Sequence, residues 1–168
     1  SMTYIQPVHP EGKPLRFNWN GAIAQDPMDN NSLYFGSQYL HYSRDRGASW
    51  EIMSPDLTSN DPEKQQQAIS GGLTIDATRA ENYTTITCIA PSQHDKSTIW
   101  VGTDDGNVQL TRDGGNTWQN LNSNIRGFRK GCWITQIVVG QKSGEAFLVM
   151  NDYRRNHWEP YLFHTYNY

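Results

Sequence analysis

The sequence predicts an all-β protein, a β-propeller segment of about three four-stranded blades. Three observations carry that prediction. The octapeptide from Ser43 to Trp50 returns from Thr111 to Trp118, both reading S/T-x-D-x-G-x-x-W. Matching residues precede each copy: Ile23-Ala24 pairs with Ile89-Ala90, and Leu33-Tyr34-Phe35-Gly36-Ser37 with Ile99-Trp100-Val101-Gly102-Thr103. Short β-rich runs separated by turn signals surround both copies, the pattern of a propeller blade. Such a repeat decides architecture before any single residue does, because repeat units bury their cores against one another.

The elements follow in chain order. Ser1-Met2 reads as a tag remnant and is set aside. Thr3 to Pro7 is extended and is expected to be the last strand of a preceding blade. Residues 16–53 form the first blade of the chain. Residues 54–84 are a long inter-blade insertion, of the length that usually carries function or covers a face. Within it Asn60-Asp61-Pro62-Glu63 predicts a short helix near 61–68, with Asn60 as N-cap, Pro62 in the first turn, and Ser70-Gly71-Gly72 ending it. The second blade spans 85–121.

A third, incomplete blade spans 133–168. Its strands are read at Trp133 to Val139, Gly144 to Met150 and Pro160 to Thr165. Thr165 and Asn167 fall where Ser/Thr and Asp stand in the other two motifs, so a third copy is expected to be cut. The lead segment and the three-stranded unit could complement each other, within or between chains. Open blade faces invite association, so the chain is expected to self-associate and to need the remaining blades of a larger propeller.

The repeated motif has a mechanical reading as an Asp box. Ser43 or Thr111 ends a strand, and Asp45 or Asp113 accepts hydrogen bonds from turn amides. Gly47 or Gly115 supplies a positive φ. Trp50 or Trp118 then folds back and buries a large apolar area. The two carboxylates are therefore expected to be used by the turn rather than by chemistry.

Composition bounds function. Net charge is -3 with 18% charged residues, which gives no reason to expect nucleic acid. No apolar run reaches the length of a membrane span. Arg126, Arg129 and Lys130 form a small basic cluster read as a solvated loop. Cys88 and Cys132 lie near the first strands of successive units, where free buried thiols are the default and a disulfide is the alternative. No spacing suggests a metal site, and no cofactor is expected.

The chain resembles the large bacterial sortilin-like, Asp-box (BNR-repeat) propeller proteins often labelled glycosyl hydrolases. The resemblance rests on Arg16 to Asn20, Ser54 to Thr58, Asn60 to Lys64, Ser70-Gly71-Gly72, Gly102 to Gly106 and Pro160 to Phe163. It implies a portion of a longer secreted, periplasmic or envelope-associated protein. It implies no particular reaction, since one fold hosts many functions.

Candidate ligand contacts lie on loops at one end of the blades. They are Trp19, Asn20, Tyr83, Asp104, Asp105, Asp152, Tyr153 and Arg154, with Asn18, Glu81, Asn82 and Trp158 nearby. This mixture of aromatic, amide and carboxylate groups suits a peptide or a glycan, so a non-catalytic binding or scaffold role is expected. The alternative is part of a glycoside hydrolase. Asp104 or Asp105 with Asp152 or Glu81 would then supply the paired carboxylates. A sialidase-like site would need three converging arginines, and Arg16, Arg79 and Arg154 match no such pattern.

Overall fold

A computed structural model describes residues 2–66 and 81–168. They form three antiparallel sheets, each a meander in chain order. The first holds β1 (Ile23–Gln25), β2 (Leu33–Gly36), β3 (Leu40–Ser43) and β4 (Glu51–Ile52). The second holds β5 (Ile86–Pro91), β6 (Ile99–Thr103), β7 (Val108–Thr111) and β8 (Gln119–Asn120). The third has β9 (Trp133–Val139), β10 (Ala146–Asp152) and β11 (His157–Thr165). Among the described residues β11 pairs with β10 alone.

The paired residues of the first two sheets show that the repeat is geometric. Ser43 pairs with Leu33 as Thr111 pairs with Ile99. Tyr42 pairs with Glu51 as Leu110 pairs with Gln119. In the third sheet Thr165 takes the same place opposite Ala146.

Each sheet packs on the next through apolar residues. Ala22, Tyr34, Leu40, Tyr42, Leu57, Ile86, Ile99 and Val101 form the core between the first two. Trp100, Val108, Leu110, Leu121, Ile134, Ile137, Leu148 and Met150 belong to the core between the second and third. Burying an aliphatic side chain as fully as Leu40 or Ile134 contributes roughly 1.5–3 kcal/mol. Gly36 and Gly102 stand where the inner strand of the following sheet comes closest. A Cβ on Gly36 would lie 2.7 Å from Ile86 Cγ2; one on Gly102 would overlap Ile134 and come within 2.6 Å of Cys88 Sγ. A side chain at either place pushes two sheets apart.

The motif turns close β3 to β4 and β7 to β8. Ser43 Oγ accepts from Gly47 N at 2.7 Å and donates to Asp45 Oδ1 at 2.8 Å. Thr111 Oγ1 does the same with Gly115 N and Asp113 Oδ1, both at 2.9 Å. Asp45 accepts from the Ser49 amide at 2.8 Å and hydroxyl at 2.6 Å. Asp113 accepts equally from the Thr117 amide at 2.9 Å and hydroxyl at 2.6 Å. The Ser49 hydroxyl and amide, with Ser43, hold the Asp45 carboxyl down to about 2; the Thr117 hydroxyl and amide lower that of Asp113.

The tryptophans reach across to what precedes. Trp118 Nε1 donates to Met53 O at 3.4 Å, just beyond β4. Trp50 Nε1 donates to Ile5 O at 2.8 Å. Gly47 faces Ile5 as Gly115 faces Met53, and both glycines have φ near +90°. The lead segment thus lies on the first motif turn. It forms no strand pairing with the described residues and does not complete the third sheet.

A second repeated turn joins β1 to β2 and β5 to β6. Asp29 holds Ser32 and Asn31 N as Asp95 holds Thr98 and Ser97 N. It then braces the motif turn of its own sheet. Arg46 N donates to Asn31 O and Gly114 N to Ser97 O, both at 2.9 Å. In the third sheet Tyr168 N donates to Gly144 O, also at 2.9 Å.

The insertion differs from expectation. Pro62 to Gln65 is a hydrogen-bonded turn, not a helix. Asn60 is no N-cap: its φ is +48°, and Asp61 Oδ1 instead accepts from Glu63 N at 3.0 Å. Ala68, Ser70-Gly71-Gly72 and Arg79 lie outside the described residues. Both cysteines are free thiols, and burial pushes that of Cys88 up to about 12.

Gly102→Ala should lower stability by about 1–3 kcal/mol through overpacking against Ile134 and Cys88. Denaturant unfolding with an unchanged m-value checks this, and a shift below about 0.5 kcal/mol would refute the close-approach reading.

Candidate functional site

Antiparallel meanders place successive loops at alternate ends of a sheet. The motif turns share one end with the Asp29 and Asp95 turns. At the other end lie the approaches to β1, β5 and β9 and the β2–β3, β6–β7 and β10–β11 loops. Every ligand contact expected from the sequence lies at this second end.

The densest grouping there is a ladder of flat side chains. Tyr83 precedes β5 and Trp133 opens β9, with ring centroids 6.5 Å apart. The Arg154 guanidinium lies 3.9 Å from the Trp133 ring and 4.6 Å from that of Tyr153. Tyr153 stacks on Trp158 with centroids 6.3 Å apart. Lys64 Nζ lies 5.9 Å over the Tyr83 ring at the far end. Cation–π contacts of this kind hold a guanidinium flat while leaving its edge free to hydrogen-bond. Tyr153 and Trp158 are 44% and 75% exposed, so the outer half of the ladder offers open aromatic faces.

Beneath the ladder is a small cavity of about 40 Å³ lined by Tyr83, Asp104, Gly131, Trp133, Asn151, Asp152, Arg154 and Arg155. It has room for water but not for a sugar ring. Its two carboxylates are engaged by the protein. Asp104 accepts from Thr85 N at 2.8 Å, Thr85 Oγ1 at 2.6 Å and Asn18 Nδ2 at 3.1 Å. It ties the β6–β7 loop to the approach of β5. Burial outweighs those bonds and pushes its carboxyl up to about 7. Asp152 accepts from Arg155 Nε at 2.6 Å and from Arg129 Nε. Burial raises its pKa, but the bonds from Arg155 and Arg129 prevail and hold it below the usual carboxylate range. Arg155 also donates to Lys130 O at 2.8 Å.

The expected contacts therefore divide. Tyr83, Asp104, Asp152 and Arg154 come together at the cavity, and Tyr153 joins through Arg154. Asp105 does not line it; Asp105 is buried and accepts from Thr103 Oγ1 and from Ser59 N at 2.7 Å. Trp19 and Asn20 sit before β1, on a turn where Asn18 Oδ1 accepts from Asn20 N at 3.0 Å, and do not line the cavity. Trp19 is 69% exposed.

Trp133, Asn151 and Arg155 are site residues that the sequence pattern does not single out. Trp133 reads as a strand opener and Arg155 as a neighbour of Arg154. The basic loop is not simply solvated, since Arg129 is bound to Asp152. The paired acids of a hydrolase are not free here, because Asp104, Asp105 and Asp152 are all consumed internally. Arg16 is likewise held by Asp56 at 2.7 Å and by Thr84 O at 3.1 Å, away from Arg154. No group of His, Cys, Asp and Glu that could hold a metal occurs among the described residues. No described helix is long and apolar enough to cross a membrane.

Neither models of protein families nor curated proteins match the chain. Solved structures do. An ancestral GH74 enzyme matches at 16% identity and a TM-score of 0.55, over 90% of this chain and 15% of its own. YCF48 bound to D1 peptide matches at 15% identity and a TM-score of 0.50, over 96% of this chain and 44% of its own. A GH74 enzyme from Niastella koreensis matches at 18% identity and a TM-score of 0.49, over 77% of this chain and 17% of its own. The chain thus spans less than half the length of each. The likeness shows the fold: three propeller-type sheets.

Asp104 makes a pH-dependent contribution of unusual sign. Its carboxyl ionises near 3.8 when unfolded and near 7 when folded, so between those values the folded chain keeps a proton that the unfolded chain has lost. That contribution is complete below about pH 4 and declines as pH rises through about 7, by up to about 1.4 kcal/mol per pH unit. Asp104→Asn should remove this slope. Urea midpoints of both chains at pH 4.5 and 7.5 measure it, and parallel pH profiles would contradict the assignment.

Proposed function

We propose that the chain is a non-catalytic propeller segment that binds an extended peptide along the Tyr83–Trp133–Arg154–Tyr153–Trp158 ladder. That ladder is the observation that carries the reading. Its ring-to-ring steps of 6.5 and 6.3 Å suit alternate side chains of an extended strand, which repeat about every 6.6–6.8 Å on one face. Arg154 makes no ion pair with a carboxylate among the described residues, so its free edge suits an acidic side chain or terminus.

Binding is favoured over hydrolysis for a chemical reason. Glycoside hydrolysis needs two carboxyl groups that face a substrate-sized cleft. Here the cavity beside Asp104 and Asp152 is water-sized, and both acids are occupied. The D1 peptide bound to YCF48 is a ligand of that protein, and the GH74 likeness rests on the fold. A bacterial sortilin-like, Asp-box parentage and a secreted or envelope setting form part of the proposal, supported by the sequence resemblance.

Arrays of acidic, aromatic-rich peptides and of neutral glycans, read with the full chain, test the proposal. Acidic peptides should bind, and Arg154→Ala or Trp158→Ala should each weaken binding by about tenfold or more. Preferential glycan binding, indifference to both substitutions, or turnover of a β-glucan would overturn it.

A further inference from the structure

Asn20 lies outside the ladder cavity, on the exposed turn that leads into β1. Gly21 follows it, and this is the one Asn-Gly pair in the sequence. Such a pair reacts with itself when three conditions hold. The amide nitrogen after the asparagine must be free, the side-chain carboxamide must be free, and the backbone must let the two meet. Glycine helps with the last, because it has no Cβ to crowd the approach.

Asn20 and Gly21 are both exposed. Among the described residues Gly21 N has no acceptor and the Asn20 carboxamide has no hydrogen-bond partner. The two Asp-Gly pairs, which are open to the same ring closure, are locked instead. The Asp105 carboxylate accepts from Thr103 Oγ1 and Ser59 N, and Gly106 N donates to Thr103 O at 3.4 Å. The Asp113 carboxylate is held by Thr111 and Thr117, and Gly114 N donates to Ser97 O at 2.9 Å. The fold thus ties down both reacting groups at those two places and neither at Asn20.

We propose that Asn20-Gly21 is a self-modification site, where the carboxamide is converted to a carboxylate. Gly21 N loses its proton to hydroxide and attacks Asn20 Cγ. The new N–C bond closes a succinimide as the Cγ–Nδ2 bond breaks, and ammonia leaves with a proton taken from water. Water then opens the ring at either carbonyl, leaving aspartate or isoaspartate at position 20. The net change exchanges ammonia for water and adds one negative charge.

The consequence reaches the wall of the ladder cavity. Asn18 Oδ1 accepts from Asn20 N at 3.0 Å, while Asn18 Nδ2 donates to Asp104 Oδ2 at 3.1 Å and Thr85 Oγ1 at 3.2 Å. Asn18 and Ala22 are both buried. Isoaspartate adds a methylene to the main chain between these fixed ends, so the extra length is taken up by loosening Asn18 from Asp104 and Thr85. The reaction does not depend on what the ladder binds.

Incubation of the full chain in mildly alkaline buffer tests the proposal, with peptide mass spectrometry that separates aspartate from isoaspartate. Asn20 should convert before any other asparagine, and faster as pH rises. Gly21→Ala should slow the conversion by about tenfold or more. That variant keeps the fold, because Gly21 has no positive φ and an added Cβ would meet the Phe35 ring at an ordinary 3.7 Å. In the isoaspartate form, amide exchange at Thr85 should quicken by about threefold or more. An Asn20 that stays intact, another asparagine that converts first, Gly21→Ala converting at the parent rate, or unchanged exchange at Thr85 would each overturn the proposal.

Discussion

The organising interaction is a single hydrogen bond used twice: the indole N–H of a turn tryptophan given to a main-chain carbonyl of the segment before it. Trp118 gives its proton to Met53 O and Trp50 to Ile5 O. Each bond places a large apolar ring over the seam between two layers and satisfies the ring's one polar atom there. The rest of the motif serves that placement. Asp45 and Asp113 fix the turn, while Gly115 leaves room for the Met53 carbonyl and Gly47 for the Ile5 side chain. Without a side chain at Gly36 and Gly102, the inner strands of successive sheets can meet below the seam.

That arrangement separates the turns that close the sheets from the ladder proposed to bind a peptide. The closing turns lie at one end of the sheets, and their carboxylates are spent on amides and hydroxyls. The ladder and its cavity lie at the other end, on loops whose sequences differ between the sheets. Tyr83 and Trp133 come from the approaches to two successive sheets, so the ladder exists only where those sheets are packed. Asp104 has the same dependence, because it joins the β6–β7 loop to Thr85 and Asn18. The fold's packing is thus a precondition for the site, although no closing residue takes part in it.

Much of the architecture is legible in the sequence because the strands repeat with their partners. Ser43, Asp45, Gly47 and Trp50 recur at fixed spacing, and the hydrogen bonds recur with them. The D-x-x-S/T turn at Asp29 and Asp95 repeats as faithfully yet stays hidden, since four polar residues look like any loop. The helix expected after Asn60 does not form because capping residues also build turns. At the site, Arg154 and Tyr153 are legible as loop residues of the right type. Asp104 and Asp105 read as open groups, because sequence does not show that Thr85, Asn18 and Ser59 will claim them. Trp133 is hidden by its place at the head of an apolar strand.

The central claim is that Trp50 and Trp118 are bonded across the seams, whereas Trp19 and Trp158 stand exposed. Hydrogen exchange of the six indole N–H groups, followed by NMR on the full chain, tests this directly. The account predicts that the indoles of Trp50 and Trp118 exchange at least about tenfold more slowly than those of Trp19 and Trp158. Exchange of Trp50 and Trp118 as fast as that of Trp158 would contradict it.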